Sequence, residues 1–358
     1  MSAMNRRTFG RAVGGGALAL AAGAAGGDEP RRERIKVGQV GVGHGHATKL
    51  AVYRRSPDYE VVGIAEPDAD LRKRAEALPA FRDLPWMTRD RLLDVPGLQA
   101  VLVETRVRDL LDNAEACVAA GKHVHLDKPP GDSLPRLKRL LETAARKNLF
   151  VQLGYMYRYN PAVVLLRDFL KKGWLGEVFE AHAVMSKVVA ADERRELAAF
   201  AGGILFELGC HLIDLLVGLL GKPAQVHAFP RRSSRLDDNL TDNVLAVLAY
   251  PRATATVRSS ALEVEGFARR HLVVCGTEGT FHIQPLDNPQ ARVALKSARG
   301  DYVQGYQEVR FDRYERYVAD AADMARILRG EKKADFSAEH DLAVQGVLLR
   351  ACDPPVKP

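Results

Sequence analysis

Residues 35–43, Ile35-Lys36-Val37-Gly38-Gln39-Val40-Gly41-Val42-Gly43, read as a short Val-rich strand running into a glycine turn, and Gly45 to Arg54 continue at helical spacing. The same rhythm recurs downstream. Strands are expected at Glu60–Ala65, Leu98–Val103, His123–Leu126 and Phe150–Leu153, alternating with helices at Asp68–Leu78, Asp109–Ala120 and Leu134–Lys147. Strands that alternate with helices of this length imply right-handed crossovers and a parallel, doubly wound sheet. Residues 33–154 are therefore expected to form one nucleotide-binding α/β domain of Rossmann type.

Beyond residue 154 the rhythm changes. A helix at Pro161–Lys171 precedes strand-like runs near 177–189, 224–230, 243–250, 253–262, 270–275 and 279–284, interrupted by an apolar helix at Leu205–Leu219. Strands so close in sequence predict a largely antiparallel, open-faced sheet in a C-terminal α+β domain over residues 155–351, closed by helices at Asp312–Arg329 and Ser337–Ala351. Residues 190–202, charged and then Ala-rich, are expected to form a loop over the pocket.

Composition narrows the function classes. The 358 residues are 47% hydrophobic and 27% charged, as in ordinary globular proteins. The formal charge of +7 is scattered and no Lys/Arg stripe alternates with aromatics, which argues against nucleic acid as a partner. After the first thirty residues no apolar run is long enough for a membrane span. In that leading segment, Asn5-Arg6-Arg7-Thr8-Phe9 precedes an uncharged Ala/Gly/Leu run from Ala12 to Gly27, and Ala22-Gly23-Ala24 offers a cleavage site. Residues 1–27 thus read as a twin-arginine export signal, which predicts a periplasmic protein carried out already folded. Its removal takes three arginines and lowers the charge from +7 to +4. Cys117, Cys210, Cys275 and Cys352 lack metal-ligand spacing, and export in the folded state does not favour disulfides between them.

The glycine turn carries the first chemistry. Gly41-Val42-Gly43 supplies the opening of a G-x-G-x-x-G fingerprint, where glycines let the backbone approach a pyrophosphate at a helix N-terminus. The third position is His46, with Gly45 one residue early, so His44, Gly45 and His46 complete the turn in altered form. Glu66, at the end of the second strand, would bond ribose hydroxyls and repel a 2′-phosphate, which points to NAD rather than NADP. His44 and His46 have no carboxylate or Cys at ligand spacing, so no metal is expected. At the sheet's carboxyl edge, Asp127-Lys128-Pro129 places an ammonium where it can bond a substrate hydroxyl and stabilise developing alkoxide. Glu207, His211 and Asp214 recur at i, i+4 and i+7 on the apolar helix. A neutral His211 can take a hydroxyl proton, and Glu207 one turn away can orient it.

Taken together these stretches resemble the Gfo/Idh/MocA oxidoreductases over residues 33–351. That family's strand-end turn reads Glu-Lys-Pro, here Asp127-Lys128-Pro129; its helix reads Gly-Gly-Gly-x-Leu-x-Asp-x-Gly-x-His-x-x-Asp, here the run from Gly202 to Asp214. Tyr157-Arg158-Tyr159-Asn160-Pro161 is similar to its Arg-Phe-x-Pro junction, and Gly276-Thr277-Glu278-Gly279-Thr280 to its Gly-Thr-x-Gly turn. The resemblance implies that Lys128 is catalytic and contacts cofactor, and that Glu207 and His211 line the pocket; Tyr157, Arg158 and Asp214 are expected beside the substrate, and Thr105 at the cofactor. It further implies NAD-dependent hydride transfer at a hydroxyl carbon of a sugar, inositol or related polyol, and a homo-oligomer built on the open sheet. Departures stand at His46 for Gly, Asp127 for Glu, Glu207 for Asp, and Thr105-Arg106 for Thr-Pro. Two alternatives stay open: NAD-dependent glycoside cleavage, and a non-catalytic carbohydrate-binding or scaffold protein on a decayed Rossmann fold.

Overall fold

A computed structural model describes residues 33–353; the expected export signal lies outside them. The first sheet contains β1 (Ile35–Val40), β2 (Tyr59–Ala65), β3 (Trp86–Met87), β4 (Ala100–Val103), β5 (His123–Leu126) and β6 (Val151–Leu153), in the order β3-β2-β1-β4-β5-β6. All its pairings are parallel. Strands covered on both faces must be apolar throughout, and Ala100 to Val103 are buried without exception. The order reverses between β1 and β4, so the turns after these strands diverge and leave a crevice at the carboxyl edge.

The second sheet contains β7 (Val178–Val184), β8 (Gln225–Arg231), β9 (Asn243–Ala249), β10 (Thr254–Ser260), β11 (His271–Gly276), β12 (Gly279–Ile283), β13 (Ala291–Leu295) and β14 (Gly305–Val309). Its order is β14-β13-β12-β11-β7-β10-β9-β8, antiparallel except where β7 meets β10. One face is core and the other is open. Along β9 the residues Val244, Ala246 and Leu248 are buried while Leu245 and Val247 are half-exposed. The strands β3, β13 and β14 were not expected: β3 is two residues long, and β14 is an edge strand with polar and exposed side chains that carry no apolar period.

Helices tie the two sheets together. The C-terminal helix Ala338–Cys352 packs on Leu134–Arg146 and on Cys210–Leu220. The helix Val318–Leu328 returns to the first sheet, where Ala321, Met324 and Ala325 join Ile35, Val37, Leu50 and Ile64 in one cluster. The Tyr59 hydroxyl donates to the Ala321 carbonyl at 2.7 Å. Residues 190–202, expected as a loop, contain a helix at Ala191–Leu197 with Asp192 and Glu193 in its first turn, where carboxylates favour the helix dipole.

Beneath the second sheet, Phe169 meets Trp174, Phe281 and Tyr302 edge-on, with ring centroids 4.9, 5.2 and 4.8 Å apart. Three such contacts around a fully buried ring leave no way for the site to collapse around a truncation. Phe169→Ala is expected to cost about 3–5 kcal/mol, read as a lowered urea midpoint at unchanged slope. A loss below about 1 kcal/mol would show that this cluster does not hold the sheet to its helix.

Candidate functional site

Two clefts open at the carboxyl edge of the first sheet, and Arg106 borders both. The smaller, about 550 Å³, is bounded by Glu66, Asp68, Leu71 and Thr105. The larger, about 950 Å³, takes in Gly43, His44, Gly45, His46, Lys128, Tyr157, Glu207 and His211.

The glycine turn fits a pyrophosphate. Gly41 has φ +89°, and a Cβ there would lie 2.5–2.6 Å from Thr105, so only glycine lets the two chains touch. The N–H groups of Gly43 and Gly45 have no partner among the described residues, and Gly45 has open space around it. Free N–H groups at the start of a helix attract anionic oxygens. The Val42 N–H is taken: it donates to Glu66 Oε2 at 2.9 Å, so Glu66 clamps the turn while bordering the smaller cleft. The Arg72-Lys73-Arg74 run does not reach that cleft; Arg72 pairs with Glu76 on the helix surface.

Below the larger cleft lies a buried polar cluster. Asp127 Oδ1 accepts from the Lys128 N–H at 2.7 Å and from His46 Nδ1 at 3.1 Å, and Oδ2 accepts from Lys49 Nζ at 2.5 Å. Lys49 Nζ also donates to His125 Nε2 at 2.8 Å and stands 3.0 Å from Glu104 Oε1. His44 donates from Nε2 to the Lys128 carbonyl at 2.9 Å and accepts the His46 N–H at Nδ1, and these partners set its tautomer. Burial opposes Lys49's charge, yet Asp127 and Glu104 together hold its pKa above the ordinary value. Burial and then the Asp127 charge push Glu104 well above the ordinary carboxylate range. Spacing along the chain gave His44 and His46 no acidic neighbour; the fold corrects this by bringing Asp127 beside both, with all three ligand atoms within 4.8 Å of one another. A second such group, Glu104, His125 and Asp127, has Lys49 Nζ in the cation's place, 2.5–3.0 Å from all three.

Across the cleft the helix carrying His211 opens with a π-helical turn, Leu205–Gly209, a form that recurs at functional sites. Lys128 Nζ bonds to Glu207 Oε1 at 2.6 Å and to the Glu207 carbonyl at 3.0 Å, leaving one of the three ammonium N–H groups unspent. Burial works against both charges and is the largest influence on each, yet their attraction, the hydrogen bond between them and the neighbouring charges together raise Lys128 and lower Glu207. His211 is held well below its usual value by burial and then by the Lys128 charge, so its ring is neutral. Its Nδ1 is enclosed without a hydrogen-bond partner among the described residues. The ring lies 5.9 Å from that of His46 and meets Tyr157 edge-on at 5.0 Å.

Lys128, Glu207, His211 and Tyr157 therefore converge, while Arg158 and Asp214 do not line the cleft. Arg158 donates to Asp214 at 2.6–3.1 Å and to Asp341 at 2.6 Å, a buried cluster completed by His340 at 3.3 Å from Asp214. Asp214 shares His211's side of the helix but sits about 4.5 Å farther along its axis, inside the protein. Arg106, beside the expected Thr105, also borders the cleft, as do Lys187, Arg270 and Arg316, to which no motif pointed because strands and loops far apart in sequence contribute them.

Residues 35–155 match the model of an oxidoreductase family with an NAD-binding Rossmann fold, and residues 163–282 match the GFO/IDH/MocA C-terminal domain. The uncharacterized oxidoreductase YdgJ of Escherichia coli is 26% identical over 268 residues, 73% of this chain and 74% of its own length. The trans-1,2-dihydrobenzene-1,2-diol dehydrogenase of Macaca fascicularis is 27% identical over 223 residues; the alignment spans 61% of this chain and 65% of the dehydrogenase, just under two thirds. Among solved structures, GenD2 from gentamicin A biosynthesis, in complex with NAD, superposes with a TM-score of 0.74 at 22% identity, covering 90% of this chain and 94% of its own. KijD10, a 3-ketoreductase from Actinomadura kijaniata in complex with TDP-benzene and NADP, gives 0.73 at 20% identity, covering 89% and 96%. These two likenesses establish the fold.

Two outcomes follow from the charges. Burial draws His46 down to about 4 and His125 down to about 3, while each returns to 6.5 on unfolding. Their stabilisation is complete above pH 6.5 and drains away as the pH falls through about 4, since only the unfolded chain binds the proton in that interval. Urea unfolding is expected to lose about 1.4 kcal/mol per pH unit for each such histidine between pH 6.5 and about 4; a stability constant from pH 7 to 5 would contradict this. Asp214→Ala leaves the buried Arg158 guanidinium with Asp341 alone and is expected to cost about 3–5 kcal/mol in the same assay, with dinucleotide affinity unchanged. Weakened ligand binding at intact stability would return Asp214 to the cleft.

Proposed function

Because the chain belongs to the Gfo/Idh/MocA oxidoreductases, we propose that it oxidises or reduces a hydroxyl-bearing carbon of a sugar, inositol or related polyol, with NAD as the redox partner. The observation that carries this reading is the meeting of a protonated Lys128 with a neutral, unpartnered His211 in one cleft beside the glycine turn.

Gly43 and Gly45 would hold the pyrophosphate through their free N–H groups, and Glu66 the adenosine ribose, its charge favouring NAD over NADP. A bound nicotinamide supplies the hydride acceptor for oxidation and the donor for reduction. The chain's own groups manage the proton. In the oxidising direction the neutral His211 imidazole takes the hydroxyl proton, and the unspent Lys128 N–H meets the oxygen as negative charge builds on it. Glu207 fixes the ammonium in position by taking its other two N–H groups, through Oε1 and the backbone carbonyl. Tyr157 packs its ring edge-on against His211 and holds the ring plane.

The Arg6-Arg7 segment supports export to the periplasm in folded form, which would let the enzyme carry its dinucleotide with it. The open face of the second sheet, where Phe229 pairs with Leu245 and is half-exposed, supports a homo-oligomer built there.

Denaturing the purified protein and analysing the released small molecules by mass and absorbance is expected to recover NAD(H) near one per chain. His211→Asn should retain that dinucleotide and lower turnover by about 10²–10⁴-fold, and Lys128→Ala should lower turnover by a similar factor. No dinucleotide in the released fraction, and none bound on adding NAD or NADP, would sink the redox reading in favour of a carbohydrate-binding protein.

A further inference from the structure

The wall of the cleft contributed by Tyr157, Arg270 and Arg316 carries charge that the protein does not balance. Arg270 is 4% exposed and its guanidinium lies 3.8 Å from the centroid of the Phe267 ring. Its Nη1 donates to both oxygens of Asp287, at 3.2 and 3.0 Å, and its Nε to the Ser186 carbonyl at 3.4 Å. Its Nη2 has no partner among the described residues, although Arg270 borders the cleft. A guanidinium N–H left open on a cleft is a ready donor to an anionic ligand.

The same Asp287 also accepts from the Tyr157 hydroxyl at 2.6 Å and stands 3.6 Å from Arg316 Nη1. One carboxylate thus serves two guanidinium groups, and the wall keeps a net positive charge. Elsewhere in the cleft the lysines are matched one to one, Lys128 with Glu207 and Lys187 with Glu193. The surplus is therefore local. Tyr157 joins this wall to the ring of His211, 5.0 Å away.

Resting on the reading of this cleft as the substrate site, we infer that its substrate is an acidic sugar, whose anionic group is seated on Arg270 Nη2 and Arg316 while a hydroxyl carbon faces Lys128 and His211. A neutral hydroxyl could take the spare N–H but would leave the charge uncompensated, whereas a carboxylate or phosphate satisfies both with paired oxygens. These two anions share the recognising chemistry, and the test separates them.

Calorimetric titration of the full chain, at low and at high salt, compares glucuronate, galacturonate, gluconate and glucose 6-phosphate with glucose, galactose and glucuronamide. At least one acid is expected to bind about tenfold or more tighter than its neutral counterpart, with the preference shrinking in high salt. A preference for the sugar acids over glucose 6-phosphate identifies the anion as carboxylate, and the reverse as phosphate. Arg316→Ala, at an exposed position, should reduce the preference without unfolding the protein, and Arg270→Lys should reduce it further. Equal binding of acid and amide, or no binding of any acid, overturns the inference. Dinucleotide content is read separately: acid preference without bound dinucleotide removes the redox reading and leaves the acidic ligand standing, while turnover of neutral sugars with no acid preference does the reverse.

Discussion

A carboxylate removed from water must be repaid with hydrogen bonds and opposite charge, and Asp127 is the buried carboxylate on which the site is organised. It lies just past β5, at the crevice where the parallel sheet reverses its order. Its partners come from separate elements: Lys49 from the 3-10 turn after the glycines, His46 from the turn itself, and the N–H of Lys128 from the next peptide. Each of these bonds restricts the path of the chain. Together they fix where Lys128 leaves the sheet, and so where its ammonium meets Glu207 on the opposite side of the cleft.

Two departures from the family pattern meet in this cluster. The third glycine of the fingerprint is His46, and the acidic residue before Lys128 is the shorter Asp127. Taken singly, each weakens the expectation of a working site, since an imidazole crowds a turn built for glycine and a lost methylene shortens a carboxylate's reach. In the folded chain His46 Nδ1 and Asp127 Oδ1 are 3.1 Å apart and hydrogen-bonded. The two departures are thus direct hydrogen-bond partners in the folded chain. Burial keeps the ring of His46 neutral, and no second positive charge is added beside Lys49.

The parallel sheet was legible because its signals are local: apolar runs of four to six residues, a glycine turn, and helices of regular length between them. The same holds for β7 to β12 of the second sheet. The edge strand β14 was not legible, since Tyr306 and Glu308 face solvent and impose no apolar period. Lys128, Glu207 and His211 could be found because each sits in a short motif, whereas Lys49, Glu104, Arg270 and Asp287 could not. Lys49 belongs to a short 3-10 turn with nothing in its spacing to distinguish it from a surface lysine. Its burial follows from a carboxylate that lies 78 residues away in sequence, and only the fold brings the two together.

The separation of Asp214 from the cleft shows where periodicity stops being informative. Residues at i, i+4 and i+7 share a helical face, and a face is a line along the axis. A cleft at one end of the helix meets only the beginning of that line. Glu207 lies in the π-helical turn and His211 in the first turn of the α-helix, so both reach the cleft; Asp214 lies deeper, where a lone carboxylate could not stay charged. Arg158 answers that need from the segment after β6, and its second carboxylate, Asp341, comes from the C-terminal helix. The buried ion cluster therefore joins three elements behind the cleft and holds in place the helix that carries His211.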